Sequence, residues 1–160
     1  MFDLSNKTVF ITGIGSGIGL ATAQVALKIG ATVYGTVFSE EQSEIITGYI
    51  PSECIYKVDV KNSDEIAFAV DDAAKCSGKL DGIVAVAGIL SLQEFTKTDD
   101  AIWHNVIDTN LSGSFSLLGL LFRTCKSKQL APLFLSRVRL VWWATRLAQL
   151  TLHQRQVLTV

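Results

Sequence analysis

The run Thr12-Gly13-Ile14-Gly15-Ser16-Gly17-Ile18-Gly19 constrains this chain more than any other stretch. Before it, Thr8-Val9-Phe10-Ile11 is β-branched and aromatic and reads as a buried strand. After it, Leu20 to Lys28 carries apolar residues at helical spacing and meets a stop at Gly30. Strand, glycine turn, helix is the context in which a glycine pattern carries chemical meaning. The glycines let the chain turn sharply and bring bare backbone against a ligand. The helix beyond aims its free N–H groups and positive dipole end the same way, an arrangement that suits a pyrophosphate. Glycine-rich turns also open many helices that bind nothing, so the rest of the chain has to decide.

The pattern repeats. Ala31 to Val37 reads as a second strand, and Ser39 with Glu40, Glu41 and Gln42 starts a short helix that ends near Gly48. Glu53 to Val58 reads as a third strand, closing on Asp59-Val60. Asn62 or Ser63 caps the next helix, with Ile66, Phe68, Ala69, Val70 and Ala73 expected inward and Gly78 at its end. Leu80 to Val86 is a fourth strand, with Ala87-Gly88 as its exit. Alternation of this kind predicts β-α-β units, right-handed crossovers and an α/β fold. The expected architecture is an incomplete, doubly wound parallel sheet with helices on both faces. Ligands of such sheets lie outside the carboxyl ends of the strands. From Thr98 to Lys126 the pattern is mostly helical, with Trp103, Val106, Ile107 and Leu111 at three- and four-residue steps and a junction at Asn110-Leu111-Ser112-Gly113.

Composition narrows the function. The net charge is −1 and gives no reason to expect a nucleic-acid partner. Cys54, Cys76 and Cys125 form no metal-ligand spacing and read as thiols of a reducing compartment, so no metal is expected and a cytoplasmic location is. The opening Met1-Phe2-Asp3-Leu4 is acidic where a secretory signal would be basic, and no apolar run reaches the length of a membrane span.

The spacing Gly13-x-x-x-Gly17-x-Gly19, preceded by Thr12, resembles the nucleotide-binding turn of the short-chain dehydrogenase/reductase family. The resemblance runs from Asn6 to about Lys126. It implies that Gly13, Gly15, Ser16, Gly17, Ile18 and Gly19 bind the cofactor, that Asp59 and Val60 contact its adenine, and that Ala87 and Gly88 line its approach. Ala85 and Val86 stand where the family commonly has two asparagines. Asn110, within Asp108-Thr109-Asn110-Leu111-Ser112-Gly113, matches the family asparagine that holds a water in the proton relay; alone it also fits a helix-junction cap. The implied cofactor is NAD(P). Thr36, Val37 and Phe38 occupy the place of the acid that NAD-preferring members use, with no acid until Glu40. The run Gly35 to Glu40 is similar to that of NADP-using oxoacyl carrier-protein reductases, which tilts the balance slightly toward NADP.

The family's chemistry also needs a Tyr as general acid/base with a Lys four residues later, and a Ser upstream. Tyr34, Tyr49 and Tyr56 are the tyrosines here, and none has that Lys. All 15 acids lie at or before Asp108, while Arg123, Lys126, Lys128, Arg137, Arg139, Arg146 and Arg155 follow it. Codons read one base upstream force Val-Gly at Trp142-Trp143-Ala144 and permit a fifth strand, a Ser and a Tyr-x-x-x-Lys in family order. The sequence therefore divides into a dinucleotide-binding half domain, 1–127, and an atypical basic and apolar tail, 128–160. Two functional readings follow. One is a short-chain oxidoreductase of alcohol/carbonyl pairs, frameshifted or truncated and inactive as this chain. The other is a non-catalytic dinucleotide-binding or interaction module whose tail docks on a partner. Substrate and oligomeric state stay open.

Overall fold

The computed structural model describes residues 3–124. β1 (Thr8–Thr12) passes through the glycine turn into α1 (Gly17–Lys28), β2 (Thr32–Val37) into α2 (Glu40–Thr47), and β3 (Ile55–Lys57) into α3 (Ser63–Ser77). β4 (Gly82–Val84) opens a long connection to α4 (Asp100–Ile107), which continues through a π turn, Asp108–Ser112, into α5 (Gly113–Thr124). The strands are all parallel, in the order β3-β2-β1-β4. The chain thus steps outward from β1 to β3, then crosses back to place β4 on the other side of β1. With right-handed crossovers, that reversal puts α1 and α2 on one face and α3 on the other. The reversal also opens a crevice at the carboxyl ends of β1 and β4, the place where such sheets take ligands.

Local chemistry explains the helix bounds. The Ser39 hydroxyl accepts from the Gln42 N–H to start α2, and Asn62 Oδ1 accepts from the Asp64 and Glu65 N–H groups to start α3. Gly78 ends α3 in the left-handed conformation, φ 75°. Phe10, Ile11, Val33 and Ile83 of the sheet are buried with Ile66, Ala69, Val70 and Ala73 of α3. Each large apolar side chain withdrawn from water contributes about 1.5–3 kcal/mol. At the amino edge, Asp81 ties β4 to β1. Its carboxylate accepts from the Thr8 N–H (2.9 Å) and pairs with Lys7 and Lys79, each at 3.1 Å. Burial alone would raise this carboxyl, but the Thr8 amide and the two ammonium groups outweigh it and hold the group below its ordinary value.

Several expectations need correction. Phe68 is not inward: it is 69% exposed, because it lies about 200° around the helix from buried Ile66. The first helix begins at Gly17, within the glycine turn, rather than at Leu20. The fourth strand is shorter than Leu80 to Val86, since β1 pairs only with Gly82, Ile83 and Val84. Glu53 and Cys54 belong to a 3-10 turn, Ser52–Cys54, so the third strand starts at Ile55. The junction at Asn110 is a π turn within a continuous helical run, and α4 buries none of its residues.

Candidate functional site

The turn after β1 is pinned to both neighbouring strands. From β2, Thr36 Oγ1 accepts from the Gly13 N–H (3.2 Å) and the Thr36 carbonyl accepts from the Ile14 N–H (2.9 Å). Toward β4, Thr12 Oγ1 accepts from the N–H groups of Val86 (3.1 Å) and Ala87 (3.2 Å). One hydroxyl therefore holds the strand exit at Val86, one of the two positions where the family's asparagines are replaced, and at Ala87. Ile14 turns inward and packs over Gly35, where any side chain would collide with Ile14 and with the Ile11 carbonyl.

The glycines divide by role. Gly13 has φ +73°, and a Cβ there would stand 2.9 Å from the Ala87 Cα, so this glycine lets the β1 and β4 turns touch. A Cβ on Gly19 would strike the Gly13 carbonyl oxygen, and one on Gly15 would strike the Gln42 side chain. Gly17 differs. It has φ +51°, and a Cβ there would meet nothing within 4 Å. Ser16, Gly17 and Ile18 are exposed, and α1 starts with no side-chain cap and no acid in its first turn. Open space in front of an uncapped helix start can receive an anion, because the first-turn N–H groups and the dipole both favour negative charge.

The other expected residues fall around this edge. Asp59 is half-buried, and its carboxylate accepts from the Lys61 N–H (3.0 Å) and lies 3.6 Å from the Lys61 ammonium. Val60 is buried against Gly113 of α5, whose missing side chain makes room for it. Ala87 lies against Gly13. Gly88 is exposed and passes beside Asn110, whose Oδ1 would stand 3.1 Å from an added Cβ. Asn110 clamps the loop after β4 by both halves of its amide: Oδ1 accepts from the Ile89 N–H (2.8 Å) and Nδ2 donates to the Ile89 carbonyl (2.9 Å). Its own carbonyl accepts from the Ser114 hydroxyl (2.8 Å).

Three contributors escaped the sequence reading. Thr36 anchors the turn through a hydroxyl that looks, in sequence, like an ordinary strand residue. Gln42 lies against Gly15, and its Oε1 accepts from the Phe38 N–H (2.9 Å). The capping-box spacing Ser39-x-x-Gln42 was the signal for it, although the side chain reaches one residue further back than that motif requires. The third is the ion pair of Lys57 with Glu40, 2.7 Å.

Tyr34 and Tyr56 are poor acid/base groups. Burial pushes the Tyr34 phenol above its ordinary value. Tyr56 is pushed up first by burial and then by Asp72, whose carboxylate accepts its hydroxyl proton at 2.9 Å. A catalytic phenol needs the opposite shift. Among the described residues no group of three or more His, Cys, Asp and Glu could hold a metal ion, and no described helix is long and apolar enough to cross a membrane.

A parallel half-sheet with a pinned glycine turn at its switch point defines a nucleotide-binding α/β protein. Comparison with known proteins narrows this further. Residues 7–131 match the family model for short chain dehydrogenases, and the chain belongs to that family. It is 32% identical over 123 residues to the short chain dehydrogenase ausX of Aspergillus calidoustus, covering 74% of this chain and 46% of that protein. Over 128 residues it is 30% identical to the 3-oxoacyl-(acyl-carrier-protein) reductase FabG of Buchnera aphidicola, covering 79% and 52%. Among solved structures, a short-chain dehydrogenase/reductase of Brucella melitensis, titled a glucose/ribitol dehydrogenase, superposes with a TM-score of 0.71 at 31% identity. That match covers 77% of this chain and 54% of the other. The chain spans about half the length of the curated relatives it matches.

Proposed function

We propose that this chain carries the cofactor-binding half of an NAD(P)-dependent short-chain oxidoreductase of alcohol/carbonyl pairs, and that the 160-residue sequence does not itself transfer hydride. The observation that carries the first part is the uncapped start of α1 beneath the open face of Gly17. In this reading Gly13, Gly15 and Gly19 fix the turn, while Ser16, Gly17 and Ile18 present backbone to the cofactor diphosphate. Asp59 and Val60 border the adenine, and Ala87, Gly88 and the Asn110 clamp shape the nicotinamide end.

The second part rests on the absence of any Tyr followed four residues later by Lys, and on the raised phenols of Tyr34 and Tyr56. A change of reading frame near Lys126 to Leu130 accounts for that absence, and the family match ending at residue 131 supports it. The half domain would then end near residue 127. The alternative is a non-catalytic module docked by its tail; the exposed Trp103, Leu111 and Phe115 on the α4–α5 run favour a partner-facing role.

The test is nicotinamide-fluorescence titration of the purified chain, followed by a turnover assay with NADPH and NADH against a panel of ketones. Cofactor binding without turnover is the expected outcome. Steady oxidation of either cofactor would overturn the claim of inactivity. A soluble, monodisperse product would favour the module, whereas aggregation would favour the frameshifted fragment, with the edge of β4 left bare.

A further inference from the structure

The corner where β2 meets α2 decides what an adenosine ribose encounters in a dinucleotide-binding sheet. A carboxylate there accepts from a 2′-hydroxyl and repels a 2′-phosphate, while a cation does the reverse. The donors at this corner are almost all engaged. The Phe38 N–H donates to Gln42 Oε1 at 2.9 Å, and the Ser39 oxygen accepts from the Gln42 N–H as the cap of α2 while its hydroxyl bonds the Glu41 carboxylate. The nearest acid is Glu40, the first residue of α2, and it is not free: Lys57 Nζ lies 2.7 Å from its Oε1. Lys57 is the last residue of β3 and the register partner of Val37, the last residue of β2, so the sheet itself delivers an ammonium group to this corner. The other lysine after β3, Lys61, is held elsewhere, by Asn105 of α4 at 3.0 Å and by Asp59.

We infer that Lys57 is a specificity-determining residue: it cancels the charge of Glu40 and admits the 2′-phosphate of NADP. The inference rests on the reading that this edge holds a dinucleotide. Both side chains of the pair are more than half exposed, so the Lys57 ammonium can take a second anion beside Glu40 without disturbing the core, and an exposed pair costs little to rearrange. A phosphate, carrying more charge and more acceptor oxygens than one carboxylate, is the stronger partner. No cation follows β2 directly in sequence; the register of β3 brings one across.

Kd values for NADPH and NADH with the full chain, Lys57→Met and Glu40→Gln test this. Lys57→Met is expected to weaken NADPH roughly tenfold, the loss of one charge-assisted contact, and NADH by less than about twofold. Glu40→Gln is expected to tighten NADPH by about threefold, with NADH unchanged or weaker. An unchanged NADPH-to-NADH ratio in both variants overturns the inference, as does equal weakening of both cofactors by Lys57→Met. If the unaltered chain binds neither cofactor, the dinucleotide reading fails and takes the inference with it. Binding with an unmoved ratio removes the inference alone.

Discussion

Four helices of the described chain have their starts defined by cap residues, and one differs from the other three. α2 opens with the Ser39 cap followed by Glu40 and Glu41. α3 opens with Asn62 followed by Asp64 and Glu65, and α4 with Asp99, which accepts from the Ile102 N–H at 2.8 Å, followed by Asp100. α1 opens with Ser16, a good capping residue whose backbone is extended as a cap should be (φ −159°, ψ 168°), yet its side chain makes no cap bond and no acid follows. Glycines stand at two of its first three positions. The difference is not one of residue type at the cap. The rules of helix initiation are met wherever a start is only structural. They are relaxed at the start facing the crevice of the switch point, the start proposed to receive the cofactor.

The largest expected effect comes from filling the close approach behind that bare start. Gly13→Val places a β-branched residue at φ +73°, with its Cβ 2.9 Å from the Ala87 backbone, which has nowhere to retreat while Thr12 holds the Val86 and Ala87 amides. Left-handed strain adds to overpacking, for about 3 kcal/mol in all. Thermal denaturation is expected to show a midpoint lower by roughly 10 °C or more. A midpoint within about 2 °C of the parent would mean that the β1 and β4 turns do not touch. A Gly13 side chain would meet the Ala87 backbone, whereas one at Gly17 would meet open space.

Much of this fold was legible because its signals are short-range. The glycine turn, the caps at Ser39 and Asn62 and the stop at Gly78 are each written within a few residues. The rest depends on strand order. Thr36 meets Gly13 and Lys57 meets Glu40 only because β2 lies between β1 and β3. Gln42 covers Gly15 only because α2 returns over the turn. Phe68 was misplaced because an apolar residue was counted without its angle around the helix. Trp103 and Leu111 keep helical spacing yet are exposed, since α5 packs on α3 and buries Leu117 instead. The tail 128–160, with its Trp142-Trp143 pair, lies outside the described residues.

A direct way to sharpen the contrast is to give α1 what the other helices have. Ser16→Asp keeps a residue of equal capping tendency and adds the negative charge that the other helix starts carry. The ligand-free protein is expected to gain about 0.3–1 kcal/mol from the charge at the helix start. Dinucleotide affinity is expected to fall roughly tenfold, because the new carboxylate occupies and repels the place of the diphosphate. Denaturation without ligand and cofactor titration read the two effects separately. Higher stability with unchanged affinity would show that the bare start is merely uncapped, and the functional side of the comparison would be lost.

The smallest effect should come from the converse change, stripping a structural start. Asn62→Ala removes the acceptor for the Asp64 and Glu65 N–H groups and the donor to Glu65 Oε1 (2.8 Å). Loss of one cap costs about 1 kcal/mol, and because α3 is anchored through Ile66, Ala69, Val70 and Ala73, that cost should appear in global unfolding by urea. Cofactor affinity should stay within about twofold, since the hydrogen bonds of the Asn62 side chain go to Asp64 and Glu65. One contact makes the comparison sensitive. Glu65 Oε2 accepts from the Asp59 N–H at 3.1 Å, so the same box that starts α3 also steadies the residue proposed to border the adenine. A drop in affinity well beyond twofold would mean that the Asn62 cap positions Asp59, and that structural and ligand-facing helix starts are not separable in this half-sheet.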